Sequence, residues 1–541
     1  MRRYLFCTSF AGKVRNAFYR IKFLGYSYKT RIQKQQLCSN IIANFNNTIS
    51  IFKTPFNKMN NVNRRDFISK SALALGSFYI VPRHVLGKGF IAPSDKLNIA
   101  GVGIGGKGMS DITNAYNNGA NNVVALCDTD LNYPGAVSMF NKHSRAKKYQ
   151  DFRKMLDQSG KDIDAVVIST PDHTHAVIAM AAMGLGKHVY VQKPLTHNIY
   201  EARTLTETAR NQKVVTQMGN QGASCNEQVQ IQDWVNKGLL GDIHTVNVWT
   251  NRPVWPQGIS VPKEKHEVPA GLDWDLWIGP AQMVDYHNKA YHNFKWRGWW
   301  NFGTGALGDM GCHLIDPPFK ALGLGYPTEV QCSSGSVFER DWVPEYFPES
   351  CPPSSAVQLK FPATAKTKSD VTLTWMDGGI RPFFPDLIPA NEIISWDDNS
   401  NNNGFMIHGT KGVITGGLFG ANAKAFLKSG DKLVSVRDEN YRPNEFGHQT
   451  KWTDACKAGF NSVAHKALTS SFDYSGPLTE TVLMGNLAIR SYMNRVTGTD
   501  GKFSFPGRIK MKWDGTNMKI TNYDGANQYV SRQYREGWKL V

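Results

Sequence analysis

Apolar positions in the first half of the chain cluster in short segments, within residues 97–102, 122–127, 162–170, 188–192 and 214–218, the clearest being Ala165-Val166-Val167-Ile168 and Val123-Val124-Ala125-Leu126-Cys127. Runs of this length, apolar on both faces, predict buried parallel strands. The stretches at 176–185 and 198–211 carry helical spacing and predict crossover helices between them. Strand, helix and strand in alternation predict a doubly wound parallel sheet, an α/β Rossmann-type domain over residues 95–217. From Asn226 the rhythm changes to a helix through Leu240, a strand at 245–250, and β-rich segments near 328–338, 355–361, 369–376 and 404–415. These predict a second domain, 218–541, of the α+β class with an open, mainly antiparallel sheet.

The first strand runs directly into a glycine-rich turn, Gly101-Val102-Gly103-Ile104-Gly105-Gly106-Lys107-Gly108. Read as G-x-G-x-x-G, it assigns Gly101 to the tight turn, Gly103 to the close approach of a pyrophosphate, and Gly106 to helix–sheet packing. A helix opening near Lys107 would aim its N–H groups at the phosphates. The second strand ends in Asp128, 22 residues after Gly106, where a carboxylate is expected to bind a ribose 2′-hydroxyl. With no arginine close behind Asp128 to receive a 2′-phosphate, NAD is expected over NADP. An aspartate that merely closes a turn is the plainer alternative.

The formal charge of +18 suggests a nucleic-acid partner until its distribution is counted. Residues 1–58 hold 11 Lys/Arg and no acids, residues 59–94 hold 5 against one acid, and residues 95–541 hold 46 against 43. The folded part is therefore close to neutral, and no nucleic-acid partner is expected. Asn63-Arg64-Arg65-Asp66-Phe67 followed by the apolar stretch 71–81 resembles a twin-arginine export signal, so residues 59–94 are expected to engage that export machinery and to direct the protein to the periplasm or outside the cell. About 11 apolar residues are too few for a stable membrane span. Residues 1–58 fit no processing pattern and are expected to be an unstructured or non-native extension, with Met59 the true start; an organelle-type leader is the rival. The cysteines show no C-x-x-C spacing, so no metal centre is expected, although Cys332 and Cys351 would be free to pair after export.

Residues 249–302 concentrate seven of the 14 tryptophans. Flat rings suit the apolar faces of sugars, and Arg252, His292, Trp296 and Arg297 are candidate substrate contacts; packing or dimerisation is the alternative use of the same rings. Two further motifs carry chemistry. Gln192-Lys193-Pro194 closes a predicted strand, at the sheet edge where ligands bind, and Pro194 holds Lys193 extended. In Gly305-Ala306-Leu307-Gly308-Asp309-Met310-Gly311-Cys312-His313, helical spacing puts Asp309 and His313 on one face. Histidine is suited to exchanging a proton near neutral pH.

The glycine fingerprint, the turn Thr170-Pro171-Asp172-His173-Thr174-His175, Lys193-Pro194 and Asp309-x-x-x-His313 together resemble the Gfo/Idh/MocA oxidoreductases over about residues 95–500. The tryptophan-rich insert and Arg64-Arg65 look like a secreted subgroup common in Bacteroidetes. The resemblance implies catalytic roles for Lys193, Asp309 and His313, cofactor contacts from Thr170, Pro171, His175 and Lys193, and a homo-oligomer, dimer or tetramer. Gln192 stands where the family usually has Glu, which puts the lysine's charge partner in doubt.

The implied activity is hydride transfer between a tightly bound nicotinamide cofactor and a sugar, sugar derivative or cyclitol hydroxyl. Export favours retention of the cofactor, and hence a redox-neutral hydrolase or lyase acting through a keto sugar as the alternative. The family's NAD-dependent N-acetylgalactosaminidases act in that way, but their Y-P-T-H-x-x-G type motif is absent here, so that activity ranks lower. A non-catalytic sugar-binding protein that contains the cofactor is the third reading.

Overall fold

The computed structural model describes residues 95–392, 402–436 and 447–540. The extension 1–58 and the export segment 59–94 lie outside the described residues.

The first layer is a six-stranded parallel sheet: β1 (Asn98–Val102), β2 (Asn122–Cys127), β3 (Lys147–Tyr149), β4 (Ala165–Ile168), β5 (His188–Val191) and β6 (Thr216–Met218), in the order β3-β2-β1-β4-β5-β6. Every residue of β4 is buried, as the unbroken Ala-Val-Val-Ile run requires of a strand covered on both faces. The strand β3 escapes a reading by apolar runs, since Lys-Lys-Tyr is polar, three residues long and at the sheet edge. Helices α1 (Gly108–Tyr116), α2 (Pro134–Lys142), α3 (Phe152–Ser159), α4 (Asp172–Gly184) and α5 (Ile199–Asn211) make the crossovers. Strand order reverses at β1, whose neighbours are β2 and β4, and this switch point opens a crevice beyond the strands' carboxyl ends.

After α6 (Asn226–Asn236) the second sheet assembles from β7 (Ile243–Trp249), β8 (Glu329–Ser334), β9 (Ser355–Phe361), β10 (Val371–Met376), β11 (Gly404–Gly409), β12 (Gly412–Gly416), β13 (Lys424–Leu427), β14 (Lys432–Val434), β15 (Met511–Asp514) and β16 (Lys519–Ile520). Its order is β14-β13-β12-β11-β7-β10-β9-β8-β15-β16, antiparallel except for the β7–β10 pair. Burial alternates residue by residue along β9, the signature of a sheet with one covered face. The connection between β7 and β8 carries α7 (Gly305–Leu314) and α8 (Asp316–Leu322) behind the insert.

Residues 448–456 do not stay with the second sheet. On helix α9 (His448–Ala458), Trp452, Ala455 and Cys456 join the core under the first sheet with Ile99, Leu126 and Val167. A boundary drawn once at residue 217 therefore misses a return of the chain, because a single late helix leaves no periodicity that says which sheet it covers. After a short helical turn at Val463–Lys466, the long helix α10 (Phe472–Met493) runs through the main core beside β8 and α5.

Most of the insert's aromatics pack on each other. Trp277, Tyr286, Tyr291, Trp296, Trp299 and Phe302 form a core of their own, and Trp249 lies within β7. Among the described residues no disulfide is formed, and Cys332 and Cys351, which could pair, do not do so here. Among the described residues no helix is long and apolar enough to cross a membrane.

Candidate functional site

A cavity of about 630 Å³ occupies the crevice at the switch point. Its floor begins at Gly103, Gly105 and Gly106, passes Asp128, Thr170 and Pro171, and ends at Lys193, Asp309 and His313.

The glycine turn uses a register two residues later than the spacing from Gly101 implies. Gly101 sits inside β1, paired with Leu126, and takes no part in the turn. Gly103 makes it, with φ +76° and the Ser169 backbone 2.8 Å from where a Cβ would stand. Close packing of the helix falls to Gly108, whose Cβ would lie 2.0 Å from the Gly103 carbonyl oxygen. Gly106 lines the cavity instead, and a Cβ there would meet nothing within 4 Å. The fingerprint is thus Gly103-x-Gly105-x-x-Gly108, and overlapping glycines hid the frame.

Asp128 does stand at the cavity, but it also holds the turn. Its Oδ2 accepts from the Ile104 and Gly105 N–H groups at 2.9 and 3.0 Å, and Oδ1 accepts from Asp130 N at 3.1 Å. Burial pushes its carboxyl up to about 6, against the pull of those three donors. The insert closes over this end. Ala270 O accepts from Asn132 Nδ2 at 2.8 Å, Gly271 O from Gln150 Nε2 at 2.9 Å, and His292 Nε2 meets Asp130 Oδ2 at 3.0 Å. An open glycine turn at a helix start, a carboxylate at the end of β2 and a cleft running on toward Lys193 fit a dinucleotide.

At the far end, Lys193 gives two of its three donors to Asp309, one to the backbone O at 2.7 Å and one to Oδ1 at 2.8 Å. Arg297 Nε reaches the same Oδ1 at 3.2 Å. Burial alone would raise the Asp309 carboxyl, but the two cations hold it below the usual carboxylate range. Asp309 is therefore a permanent anion that fixes Lys193, which answers the doubt raised by Gln192: the ammonium has its counter-ion on α7. The guanidinium of Arg297 lies over Trp296 and Phe294, 4.3 and 4.6 Å from the ring centroids, and all three side chains line the cavity.

His313, one turn after Asp309 on α7, is buried with its Nδ1 unpartnered and its ring edge-on to Phe419 at 5.0 Å. Burial, helped by the Lys193 charge and opposed by Asp309, depresses its pKa far below the ordinary histidine value. The imidazole is therefore neutral at physiological pH.

Two assigned residues lie elsewhere. His175 is buried behind the wall, where its ring spans Pro194 O and Thr170 O, each at 2.8 Å; it braces the two turns that carry Thr170 and Lys193. Arg252 does not line the cavity, and its guanidinium bonds Asn251 Oδ1 at 3.1 Å. Of the insert's tryptophans, only Trp277 and Trp296 reach the cavity.

Asp172 is the residue that motif reading passed over, although it stands between Thr170 and His175. It opens α4, lines the cavity, and accepts from Thr304 Oγ1 at 2.6 Å. Burial raises its carboxyl to about 7, against that hydrogen bond and the Lys193 and Arg297 charges. Trp538 was also beyond reach, brought to the cavity from the far end of the chain.

Residues 97–220 match a family model described as an oxidoreductase family with an NAD-binding Rossmann fold, and residues 226–333 match the same family's C-terminal alpha/beta domain. Among curated proteins the chain is similar to a glycosyl hydrolase family 109 protein of Shewanella sp. (strain ANA-3), 30% identical over 209 residues. It is also 29% identical over 209 residues to an alpha-N-acetylgalactosaminidase of Shewanella oneidensis. Each match takes in 34% of this chain and 45% of the relative, so the chain spans about half the length of the curated relatives it matches. Among solved structures, an inositol dehydrogenase homolog from Azotobacter vinelandii, complexed with NAD+, superposes with TM-score 0.50 at 16% identity, over 72% of this chain and 93% of that one. That likeness concerns the fold.

Proposed function

The chain belongs to the Gfo/Idh/MocA oxidoreductase family, and on that premise we propose that it transfers a hydride between NAD and a hydroxyl of a sugar, sugar derivative or cyclitol. The observation that carries this reading is the meeting of a neutral His313, a Lys193 locked to Asp309, and a glycine-turn cleft in one cavity.

When bound, the nicotinamide supplies the hydride acceptor and donor. The chain's own residues handle the proton and the oxygen. His313 accepts the hydroxyl proton as the carbinol is oxidised, and returns it in the reverse direction. Lys193, with a third N–H donor beyond the two given to Asp309, steadies charge that develops on the substrate oxygen. Arg297, stacked on Trp296, offers a guanidinium edge and an apolar face to a polyol ring.

A second reading, redox-neutral cleavage of a glycoside through a keto sugar, is favoured by the names of the curated relatives. It would need another proton-carrying group, and Asp172, which lines the cavity, is the candidate this reading uses. The deciding experiment supplies NAD-loaded protein with a panel of free sugars, cyclitols and nitrophenyl glycosides, and follows reduced-nicotinamide absorbance beside nitrophenol release. Absorbance change with free sugars supports the dehydrogenase. Nitrophenol release with solvent deuterium entering the sugar ring, and no net absorbance change, supports the glycosidase; binding with neither supports a sugar-binding module. Export by a twin-arginine route is part of the proposal, and N-terminal sequencing of the mature protein from a periplasmic fraction tests it.

A further inference from the structure

We propose that Glu264, His266 and His287 form a binding site for a zinc-class divalent cation that staples the tryptophan-rich insert. The three side chains each offer one ligand atom, and these atoms all lie within 4.8 Å of one another. The two imidazoles meet edge to face with centroids 4.4 Å apart, and Nδ1 of His266 is buried without a hydrogen-bond partner. A buried acceptor left open beside a second imidazole and a carboxylate is the arrangement a metal resolves.

Two imidazole nitrogens and one carboxylate oxygen suit a borderline cation such as Zn²⁺, whereas Ca²⁺ and Mg²⁺ call for a shell of oxygens. At bond lengths of about 2.0–2.2 Å the donors must close in by about 1 Å, and the exposed Glu264 has the rotamer freedom to do so. The Lys289 N–H bond to His287 Nδ1 is long, 3.2 Å, and yields if that nitrogen turns to the metal. Water completes the fourth position.

The fold supplies the reason for a staple. Between β7 and α7 the only regular elements are one short α-helix, Trp274–Ile278, and one 3-10 turn, Lys295–Gly298. Segment 264–266 is tied to 285–287 by the His266 N–H bond to Tyr286 O at 3.0 Å and the exposed Lys265–Asp285 pair at 2.8 Å. Tyr286 meets Trp274 edge-on at 5.1 Å, Trp274 stacks on Trp277 at 4.6 Å, and Trp277 lines the cavity. A cation at the cluster would therefore hold a wall of the site that no sheet or long helix holds.

The test uses the full chain, stripped with a chelator and titrated with ZnCl₂ and, separately, CoCl₂. We expect one zinc equivalent per chain, visible cobalt absorption of a low-coordinate N/O site, a change in tryptophan emission, and a rise in Tm of about 2 °C or more. Glu264→Gln should weaken binding about tenfold or more, and His266→Asn with His287→Asn should remove it. A chain that takes up no stoichiometric zinc overturns the proposal, as does a folded double-histidine variant that binds as the parent does. If the double variant does not fold, an unchanged zinc affinity in Glu264→Gln, whose side chain is exposed, overturns it equally.

Discussion

Gln192 Nε2 donates to Asp111 Oδ2 at 2.8 Å, so an amide faces the buried carboxylate of α1. Asp111 also accepts from Ser169 Oγ at 2.9 Å and Gln449 Nε2 at 2.9 Å, with Lys107 Nζ at 3.2 Å. A glutamate at position 192, which the family resemblance would lead one to expect, would set a second acid against Asp111, and the amide is what this neighbourhood accepts. Gln192→Glu is expected to destabilise the protein by about 2–4 kcal/mol at pH 8, since a donor is lost and a charge is buried against a like charge. The deficit should shrink toward pH 5, where the introduced glutamate, buried beside a like charge, can keep a proton that it has already begun to lose in the unfolded chain. Urea denaturation of parent and variant at the two pH values checks this.

Asp172 sets a pH dependence of its own. Its carboxyl, raised to about 7 by burial, binds a proton in the folded state that the unfolded chain releases near pH 4. The folded state therefore holds more protons between about pH 4 and 7, and stability falls as pH rises through that window. Asp172→Asn keeps an acceptor for Thr304 and removes the titration. Its stability should decline less steeply than the parent's, by a difference on the order of a few kcal/mol across the window. Parallel curves would show that Asp172 is charged throughout.

His313→Ala is expected to lower turnover of the preferred polyol about a hundredfold or more, while NAD affinity changes little. Stopped-flow absorbance gives the first quantity and a fluorescence titration the second. Parent-like turnover would remove His313 from the proton path.

The two-residue shift in the glycine frame separates two alanine variants. Gly108→Ala drives a Cβ to 2.0 Å from the Gly103 carbonyl oxygen, so melting temperature and NAD affinity should both fall. Gly106→Ala meets no protein atom within 4 Å, so thermal stability should stay within about 0.5 kcal/mol of the parent while NAD binds more weakly. Calorimetry with and without NAD distinguishes them.

Most of the first sheet was legible because parallel strands buried on both faces are apolar runs, and Asp309 and His313 were legible because helical spacing is local. What escaped depends on contacts far apart in sequence. Nothing at Lys147–Tyr149 marks an edge strand, and nothing at Trp452 says which sheet it will cover. Arg252 had the chemistry of a substrate contact but a place outside the cavity. Asp172 was visible as a letter in a turn, yet its proton affinity comes from burial, which only the assembled fold decides.

The return of α9 has a consequence for the order of events during synthesis. Gln449 reaches Tyr190 on β5 as well as Asp111, and His448 Nε2 meets Met218 O on β6. A ribosome that has released only the first 220 residues has made all six parallel strands but not the side chains that finish their core. The nucleotide half can settle only after residue 456 has emerged, by which time most of the second sheet is already out. Truncations that end before His448 should therefore yield an unfinished first domain, even though every glycine of its phosphate turn is present.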